Sequence, residues 1–316
     1  MIPFKHTSVL LHETINRLQV HAGGVYVDAT FGGGGHASYL LSQLETGTLI
    51  GFDQDEYAIK TAQQTFTQTL RSDSEPRLVL IHSNFSQLKH QLVDHGFIDG
   101  IDGIYYDLGV SSPQFDQAGR GFSYRFDARL DMRMDQSQPI DAYQLVNHLS
   151  QQELAQLFYR YGDEKFARPI ARLIVARRQS HPVTTTFELV DIIKDAIPAR
   201  ARRTGGHPAK KCFQALRVAV NHELEVLQTS LEEAIQVLKP GGRISVITFQ
   251  SHEDKIVKHI FKKYSEVEIP RGMPGIPADA KPLLRLVNRK PIEASDLELE
   301  QNNRAHSAKL RVAEKL

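Results

Sequence analysis

Cysteine is almost absent from the sequence: Cys212 stands alone, so no internal disulfide bond can form. No apolar run approaches the roughly 18 residues that a membrane-spanning helix requires. The first residues lack the basic start, apolar stretch and small-residue cleavage site of a secretory signal. We therefore expect a cytoplasmic protein with no membrane partner, because nothing in it calls for an oxidising compartment.

Clusters of metal-ligating residues are also lacking. The 14 histidines are scattered, without an H-E-x-x-H motif or a group of Cys and His, so we expect no metal site. The remaining composition is ordinary, with 41% hydrophobic and 24% charged residues, which disfavours disordered, collagen-like and coiled-coil chains. A length of 316 residues suits one large α/β domain or two domains.

The formal net charge of +1 conceals two segments of opposite sign. Residues 1–110 carry 6 Lys/Arg and 12 Asp/Glu, whereas residues 160–217 carry 13 Lys/Arg and 5 Asp/Glu. An asymmetry of this kind is typical of proteins that contact nucleic acid. Ordinary charged helix surfaces would explain it equally well, so charge alone leaves both interpretations open.

Short β-rich runs alternate with amphipathic stretches in the first third of the chain, and the pattern resumes near the end. The predicted strands are 25–29, 48–53, 77–82, 101–108 and 243–249, with an edge strand at 283–287. The predicted helices between them are 36–44, 55–70, 85–94, 223–238 and 254–264, with a turn at 239–242. Repeated β-α-β alternation predicts a mostly parallel sheet that helices cover on both faces.

About a hundred residues between these two parts are helical in pattern. Helices are predicted at 140–149, 151–160, 166–178, 186–197 and from 213 onward, with prolines between them. We therefore predict a discontinuous α/β domain, residues 1–115 and 215–316. An inserted helical domain would occupy 140–210, and 116–139 would be a connecting loop.

A glycine cluster follows the first strand, where Asp28 to His36 reads D-A-T-F-G-G-G-G-H. Glycines between a strand and a helix let the backbone approach a ligand, although the G-x-G-x-x-G/A fingerprint is met only loosely. The second strand ends in Asp53, whose carboxylate suits the hydroxyls of a ribose. This spacing fits NAD and S-adenosylmethionine alike. It also allows a simple turn with Asp53 as a strand-end cap.

Asp107 lies at the carboxyl end of the fourth strand, and the sequence continues as L-G-V-S-S-P-Q to Gln114. An acid, two hydroxyls and a proline-stiffened loop thus follow the carboxyl end of a strand, where open α/β sheets bind ligands. Such a loop can hold an acceptor next to a cofactor. It is not a hydrolase elbow, because the G-x-S-x-G pattern lacks its second glycine.

With these motifs the chain resembles a known family, the bacterial small-subunit (16S) ribosomal RNA cytosine-N4 methyltransferases, or methyltransferase H family. The resemblance covers nearly the whole chain. Its motifs are HTSVLL at 6–11, the 28–36 loop, DLGVSSPQ at 107–114, RGFSY at 120–124, LDMRMD at 130–135, HPA at 207–209, FQALR at 213–217, KPGGR at 239–243 and SAKLR at 307–311.

The resemblance implies a class I S-adenosylmethionine-dependent methyltransferase, Rossmann-like, with an inserted all-helical domain. It implies direct methyl transfer from S-adenosyl-L-methionine to the exocyclic N4 amine of one cytidine in small-subunit ribosomal RNA. The partner would be small-subunit ribosomal RNA within an assembled or nearly assembled subunit, with naked RNA and a homodimer left open. The family's donor contacts map onto Gly34, Gly35, His36, Asp53, Phe85, Asp107 and Gln114. Taken singly, Phe85 would be a core aromatic, His36 a local cap and Gln114 a surface residue.

Methylation of an exocyclic amine is mostly a matter of positioning, with acceptors that draw density toward nitrogen and a route for the proton. The candidate catalytic residues are Asp107, Ser111, Ser112 and Pro113. Methylation at carbon 5 would instead need a cysteine nucleophile. Cys212, in K-K-C-F, lies outside the strand-end loops and is interpreted as a helix-packing residue.

The basic segment is the candidate RNA surface, which would position phosphates without reading bases. Its residues are Arg168, Arg172, Arg177, Arg178, Arg200, Arg202, Arg203, Lys210 and Lys211. Each could equally be a solvated helix residue. Similarly, Arg125, Arg129 and Arg133 either close over donor or substrate or belong to a solvated loop.

Two features depart from related patterns. Gln250 stands where many family members have a histidine, and we keep it out of the catalytic set because an amide cannot act as a base. Gln114 replaces the aromatic residue that ends the corresponding motif of DNA amino-methyltransferases.

Three rival interpretations remain: a DNA amino-methyltransferase, an NAD dehydrogenase and a non-catalytic RNA-binding module. The family motifs within the insertion disfavour the DNA enzyme, and the basic insertion disfavours the dehydrogenase. The glycine loop and Asp53 disfavour the non-catalytic module, which would need neither.

Overall fold

The computed structural model describes residues 8–71, 73–203, 206–267 and 281–316. The chain divides into two compact units. Unit 1 comprises the described residues up to Gly109 and from Leu224, and unit 2 is Val110–Glu223. Unit 2 is larger than the predicted insertion because it also takes in residues 110–115, residues 211–223 and the segment 116–139. Leu130 and Met132 of that segment are fully buried in the same core as the unit 2 helices.

Unit 1 is built on a seven-stranded sheet of order β3-β2-β1-β4-β5-β7-β6. The strands are β1 Val25–Asp28, β2 Thr48–Asp53, β3 Arg77–His82, β4 Ile101–Asp107, β5 Leu238–Thr248, β6 Leu284–Leu286 and β7 Lys309–Lys315. Pairing is parallel from β3 through β5, whereas β7 runs antiparallel to β5 and β6. The predicted mostly parallel α/β sheet is confirmed.

The helices follow the predicted pattern with shifted ends. They are α1 Leu11–Asn16, α2 Gly35–Leu41, α3 Glu56–Thr65, α4 Leu88–Asp94, α5 Ser112–Asp116, α6 Ala142–His148, α7 Gln151–Gly162, α8 Ala167–Arg178, α9 Thr186–Ala196, α10 Ala199–Arg202, α11 Lys210–Val220, α12 Glu223–Val237, α13 Ser251–Ser265 and α14 Asp296–Gln301. Of these, α5 to α11 belong to unit 2. The helices α1, α5, α10 and α14 are short and were not predicted.

Both faces of the sheet are buried. Tyr26 and Tyr105 pack into one apolar cluster, whereas their neighbours Val27 and Tyr106 pack into another. Successive side chains of a strand point to opposite faces, so the two clusters lie on opposite sides of the sheet. This two-sided burial explains why the central strands are apolar at nearly every position.

The predicted turn at 239–242 is wrong, because these residues lie within β5. Pairing with β4 jumps from Ile101–Leu238 to Gly103–Arg243, which leaves the K-P-G-G segment as a bulge in the strand. Gly241 adopts a φ of 83°, a left-handed conformation that glycine accepts without strain. The turn-forming sequence therefore bends a strand locally and does not end it.

Candidate donor-binding site

Three carboxylates stand at the carboxyl ends of neighbouring parallel strands. Asp28 ends β1, Asp53 ends β2 and Asp107 ends β4, and β1 lies between the other two strands. The carboxyl ends of parallel strands meet at one edge of the sheet, so the three acids line the same edge. This is the edge at which open α/β sheets bind ligands.

The glycine loop is fastened to the end of β2. The Phe31 N–H donates to the Phe52 carbonyl at 2.9 Å, and the Gly32 N–H donates to Oδ2 of Asp53 at 2.8 Å. Oδ1 of Asp53 accepts from the Asp55 N–H at 2.8 Å. Burial raises the pKa of Asp53 to about 6, while these two hydrogen bonds act in the opposite direction. The carboxylate is fixed in position and is still only partly buried, so it retains room for a further donor.

The loop also leaves space for a ligand. Gly34 has a φ of 75°, and a Cβ there would lie 2.6 Å from the ring of Phe66, so a side chain would be strained and crowded. At Gly33, in contrast, a Cβ would meet no atom within 4 Å. Open space beside a backbone turn and a ribose-compatible carboxylate fits the methionine and ribose parts of S-adenosylmethionine.

Phe85 opens a short 3₁₀ turn after β3 and is half-buried. Its ring packs edge-on against Tyr106, with 5.7 Å between centroids and an interplanar angle of 88°. The core contact predicted for an isolated phenylalanine is therefore present. The ring keeps exposed surface as well, and an adenine could stack on it.

Asp28 begins the glycine motif but is not among the predicted site residues. It is fully buried, accepts a hydrogen bond from the Tyr105 hydroxyl, and accepts another from the Thr30 N–H at 3.0 Å. Burial raises the pKa of Asp28 to about 7 despite these bonds. Thr30 also uses its hydroxyl, which accepts from the Asp107 N–H at 2.7 Å. Asp28 and Thr30 thus tie β1 to β4 at the site.

His36, in α2, and Asp107, at the end of β4, are a second pair of titratable side chains that meet at this edge. Nδ1 of His36 lies 3.5 Å from Oδ2 of Asp107, and Nε2 lies 3.1 Å from the Val9 carbonyl. Burial raises the pKa of Asp107 to about 7, and the positive charge of Arg304 opposes that rise. Burial lowers the pKa of His36 to about 4. An acid that holds its proton weakly near neutral pH is suited to proton transfer.

Segments from both ends of the described chain meet around His36. The Leu10 N–H donates to the Glu298 carboxylate at 2.8 Å, and Val9 and Leu10 pack with Ala305 and Leu310. Sequence reasoning gave these residues no role at the site. Only the flanking motifs at 6–11 and 307–311 indicated that the two segments matter.

In unit 2, the loop predicted to hold the acceptor forms the start of α5. Ser111 is the N-cap, Pro113 lies in the first turn, and the Gln114 side chain accepts from the Ser111 N–H at 3.0 Å. Ser112 and Gln114 are buried. Gln114 is therefore a capping residue of this helix and not the surface residue suggested by its sequence alone.

Comparison with known proteins decides the family. The model of the MraW methylase family matches residues 3–316. A Lactobacillus helveticus protein named ribosomal RNA small subunit methyltransferase H is 77% identical over 313 residues, 99% of each chain. A Limosilactobacillus fermentum protein of the same name is 56% identical over 317 residues and covers both chains fully.

The chain belongs to the MraW methylase family. The predicted family, the class I methyltransferase fold with its helical insertion and the donor S-adenosylmethionine are thereby confirmed. Membership of a methylase family also favours S-adenosylmethionine over NAD, because the spacing of the glycine loop and Asp53 fits both cofactors and does not choose between them.

Eight of the nine residues predicted to bind RNA are exposed in this methylase. They are Arg168, Arg172, Arg177, Arg200, Arg202, Arg203, Lys210 and Lys211, on or beside α8, α10 and α11. Arg178 differs, because it is partly buried and its guanidinium donates to the carbonyls of Val146 and Leu149, each at 2.6 Å. Those carbonyls belong to the end of α6, so Arg178 caps a helix.

Other residues singled out in the sequence have structural roles. Cys212 is fully buried in the core of unit 2, and burial raises the pKa of its thiol well above the usual value, which disfavours a nucleophilic thiolate. Gln250 is the N-cap of α13, in a capping box with Glu253. Arg133 forms a two-point ion pair with Asp131.

Within residues 8–71, 73–203, 206–267 and 281–316, no group of three or more His, Cys, Asp or Glu side chains is arranged to hold a metal ion. No helix within those parts is both long and apolar enough to cross a membrane.

Proposed function

We propose that this methylase transfers a methyl group from S-adenosylmethionine to the exocyclic N4 amine of a cytidine in small-subunit ribosomal RNA. Ribosomal RNA as the substrate is supported by relatives that carry that name and match over the full length, up to 77% identity. The observation that carries the N4 assignment is the Asp107 carboxyl at the end of β4, with no thiol nucleophile beside it in unit 1, since Cys212 is buried in unit 2.

S-adenosylmethionine, when bound, supplies an already activated methyl group, so the chain has to bind and orient the reactants. Asp53 would accept hydrogen bonds from the ribose hydroxyls, and Phe85 would pack against adenine. The turn at Gly34 and Gly35, which precedes His36, would approach the methionine part. Asp107 would accept a hydrogen bond from the cytosine amine, which increases electron density on the nitrogen and provides a place for its proton.

The remaining predicted residues belong to the same proposal. Ser111, Ser112 and Pro113 form the start of α5, four to six positions after Asp107 in sequence, and would shape the acceptor loop. Gln114 would act through the cap that it forms on Ser111. The eight exposed basic residues of unit 2 would bind phosphates. A cytoplasmic location, an assembled or nearly assembled subunit as substrate, and the homodimer stay predictions.

The decisive experiment is to incubate small ribosomal subunits, taken from cells that lack the gene, with the pure protein and labelled donor. We expect a single N4-methylcytidine when the RNA is digested and its nucleosides are mapped by mass spectrometry. Asp107→Ala should retain its fold and lose at least about a hundredfold in rate, as expected for a residue that handles the proton. The exposed Asp99→Ala is the matched control and should be unaffected.

Other outcomes would identify a different enzyme. A label on carbon 5, or transfer to double-stranded DNA and not to the subunits, would overturn the proposal. Full activity of Asp107→Ala would remove Asp107 from the acceptor site while leaving the substrate assignment intact.

A further inference from the structure

His36 stands next to two groups that accept hydrogen bonds. Its Nε2 lies 3.1 Å from the carbonyl oxygen of Val9, and its Nδ1 lies 3.5 Å from Oδ2 of Asp107. A carbonyl oxygen can only accept a hydrogen bond, so Nε2 carries the ring proton and donates a hydrogen bond to the Val9 carbonyl. The Nδ1 atom therefore presents a lone pair to the Asp107 carboxyl.

The ring stays neutral in this position. His36 is 5% exposed, and burial lowers its pKa to about 4, although the bond to Val9 and the negative charge of Glu298 oppose this effect. The ring of Tyr105 lies beside it, with 5.7 Å between centroids. A second proton is thus costly for the imidazole near neutral pH, and the lone pair on Nδ1 is preserved.

The Asp107 carboxyl faces several charged or polar groups besides His36. Arg304 favours its charged form, whereas the carboxyl of Asp28, on the adjacent strand, is a nearby like charge. The Tyr105 hydroxyl donates to Asp28. With 28% of its side chain exposed, the Asp107 carboxyl is accessible to a reactant.

The Nδ1 lone pair of His36 faces the Asp107 carboxyl and favours its protonated form. An ionised carboxylate and Nδ1 are both acceptors and cannot bond to each other. A protonated carboxyl can donate its O–H to Nδ1, which stabilises the acid form. The separation of 3.5 Å exceeds a hydrogen-bond length, and we expect it to shorten when the proton arrives.

We propose that His36 is a positioning residue whose Nδ1 lone pair receives the Asp107 O–H after Asp107 takes the proton from the methylated amine. The inference rests on the proposed function. As the N–C bond forms and the C–S bond breaks, sulfur keeps the electron pair and the nitrogen loses one proton. The carboxylate of Asp107 takes that proton and becomes a carboxylic acid. His36 itself keeps a single proton, on Nε2, throughout.

His36→Gln tests this role, because a glutamine amide can still donate to the Val9 carbonyl but has no acceptor at the position of Nδ1. Loss of that acceptor should make Asp107 a weaker base. We expect the acid limb of the kcat profile to move to lower pH and the plateau to fall about 10- to 100-fold. The KM for the donor should change much less than kcat.

His90→Gln is the matched control, since His90 and Asp94 form another His–carboxylate pair, at 3.1 Å, on the exposed face of α4. It should reproduce the wild-type profile. A wild-type profile and rate for His36→Gln would overturn the inference. A loss of activity with an unmoved acid limb would reduce His36 to a structural residue.

A second measurement does not depend on turnover. In histidine-labelled protein, nitrogen NMR should show His36 neutral with its proton on Nε2 from about pH 5.5 to 8. The Nδ1 resonance should shift as Asp107 titrates, and Asp107→Asn should abolish that shift. A proton on Nδ1 would refute the inference, whereas failure of the wild-type enzyme to methylate subunit RNA would refute only the proposed function.

Discussion

At the scale of single residues, the carboxyl edge of the sheet concentrates acids whose charged forms are unfavourable. Burial raises the pKa of Asp28 to about 7, of Asp53 to about 6 and of Asp107 to about 7. Carboxyl groups of this kind cluster at functional sites, because the function requires them where stability alone would not place them. Of the three, Asp28 is the most deeply buried.

Asp28→Asn should remove a pH-dependent cost of folding. A carboxyl whose pKa is about 7 when folded and near 3.8 when unfolded stabilises the protein at low pH and loses that stabilisation as pH rises to 7. The free energy of unfolding of the variant, relative to wild type, should therefore increase from about pH 4 to 7 and be constant above. The slope should approach ~1.4 kcal/mol per pH unit.

Urea unfolding at several pH values measures this difference. The exposed Asp99→Asn controls for the general effect of removing a negative charge. A difference between Asp28→Asn and wild type that does not vary with pH would show that Asp28 has an ordinary pKa in the folded protein.

At the scale of elements, basic residues of the same helix have different tasks. Arg172 and Arg178 both lie on α8, but Arg172 is exposed whereas Arg178 is bonded to the end of α6. A pattern of basic residues in the sequence cannot separate them. The distinction depends on which carbonyls lie within reach in the folded unit.

Arg178→Gln should therefore destabilise the protein, and Arg172→Gln should not. Loss of two charge-assisted hydrogen bonds to helix carbonyls should cost about 1–3 kcal/mol of unfolding free energy. The exposed substitution should stay within about 0.5 kcal/mol of wild type. Denaturant melts measure both values. Equal stabilities of the two variants would contradict the cap assigned to Arg178.

Sequence patterns predicted the elements whose formation depends on residues near each other in the chain. The strands β1 to β4 are short apolar runs with clear ends, so Asp53 and Asp107 could be placed at strand ends from the sequence. The bulge at 239–242 and the strand β7 could not be predicted, because both depend on pairing with distant strands. The approach of Val9 to His36 and of Glu298 to Leu10 depends on such long-range packing as well.

At the scale of the whole molecule, charges of opposite sign are concentrated in different segments of the chain, acidic in residues 1–110 and basic in residues 160–217. In the proposed function, donor binding by unit 1 would rely on hydrogen bonds and packing, whereas RNA binding by unit 2 would rely on ion pairs with phosphates. The near-neutral net charge of +1 hides this division. Salt should therefore act on the two ligands very differently.

We expect affinity for small-subunit RNA to fall steeply with salt and affinity for the donor to change little. Replacing Arg168, Arg172 and Arg202 by Gln should weaken RNA binding and lower the slope of log K against log salt by about 0.7–0.9 per lost phosphate contact. Binding isotherms at several salt concentrations measure the slope, with calorimetry of the donor as the control. An unchanged slope would place the RNA surface elsewhere.

The pairing of β4 with β5 has a consequence for how the protein is made. β4 ends at Asp107 and β5 begins at Leu238, so all of unit 2 leaves the ribosome before β4 can pair with β5. Helices with mostly local contacts form quickly, whereas the sheet waits for its distant strands. Until then the side of β4 that faces away from β1 is an unpaired apolar edge that can attract other chains. The nascent protein should therefore complete its insertion before the domain that the insertion interrupts.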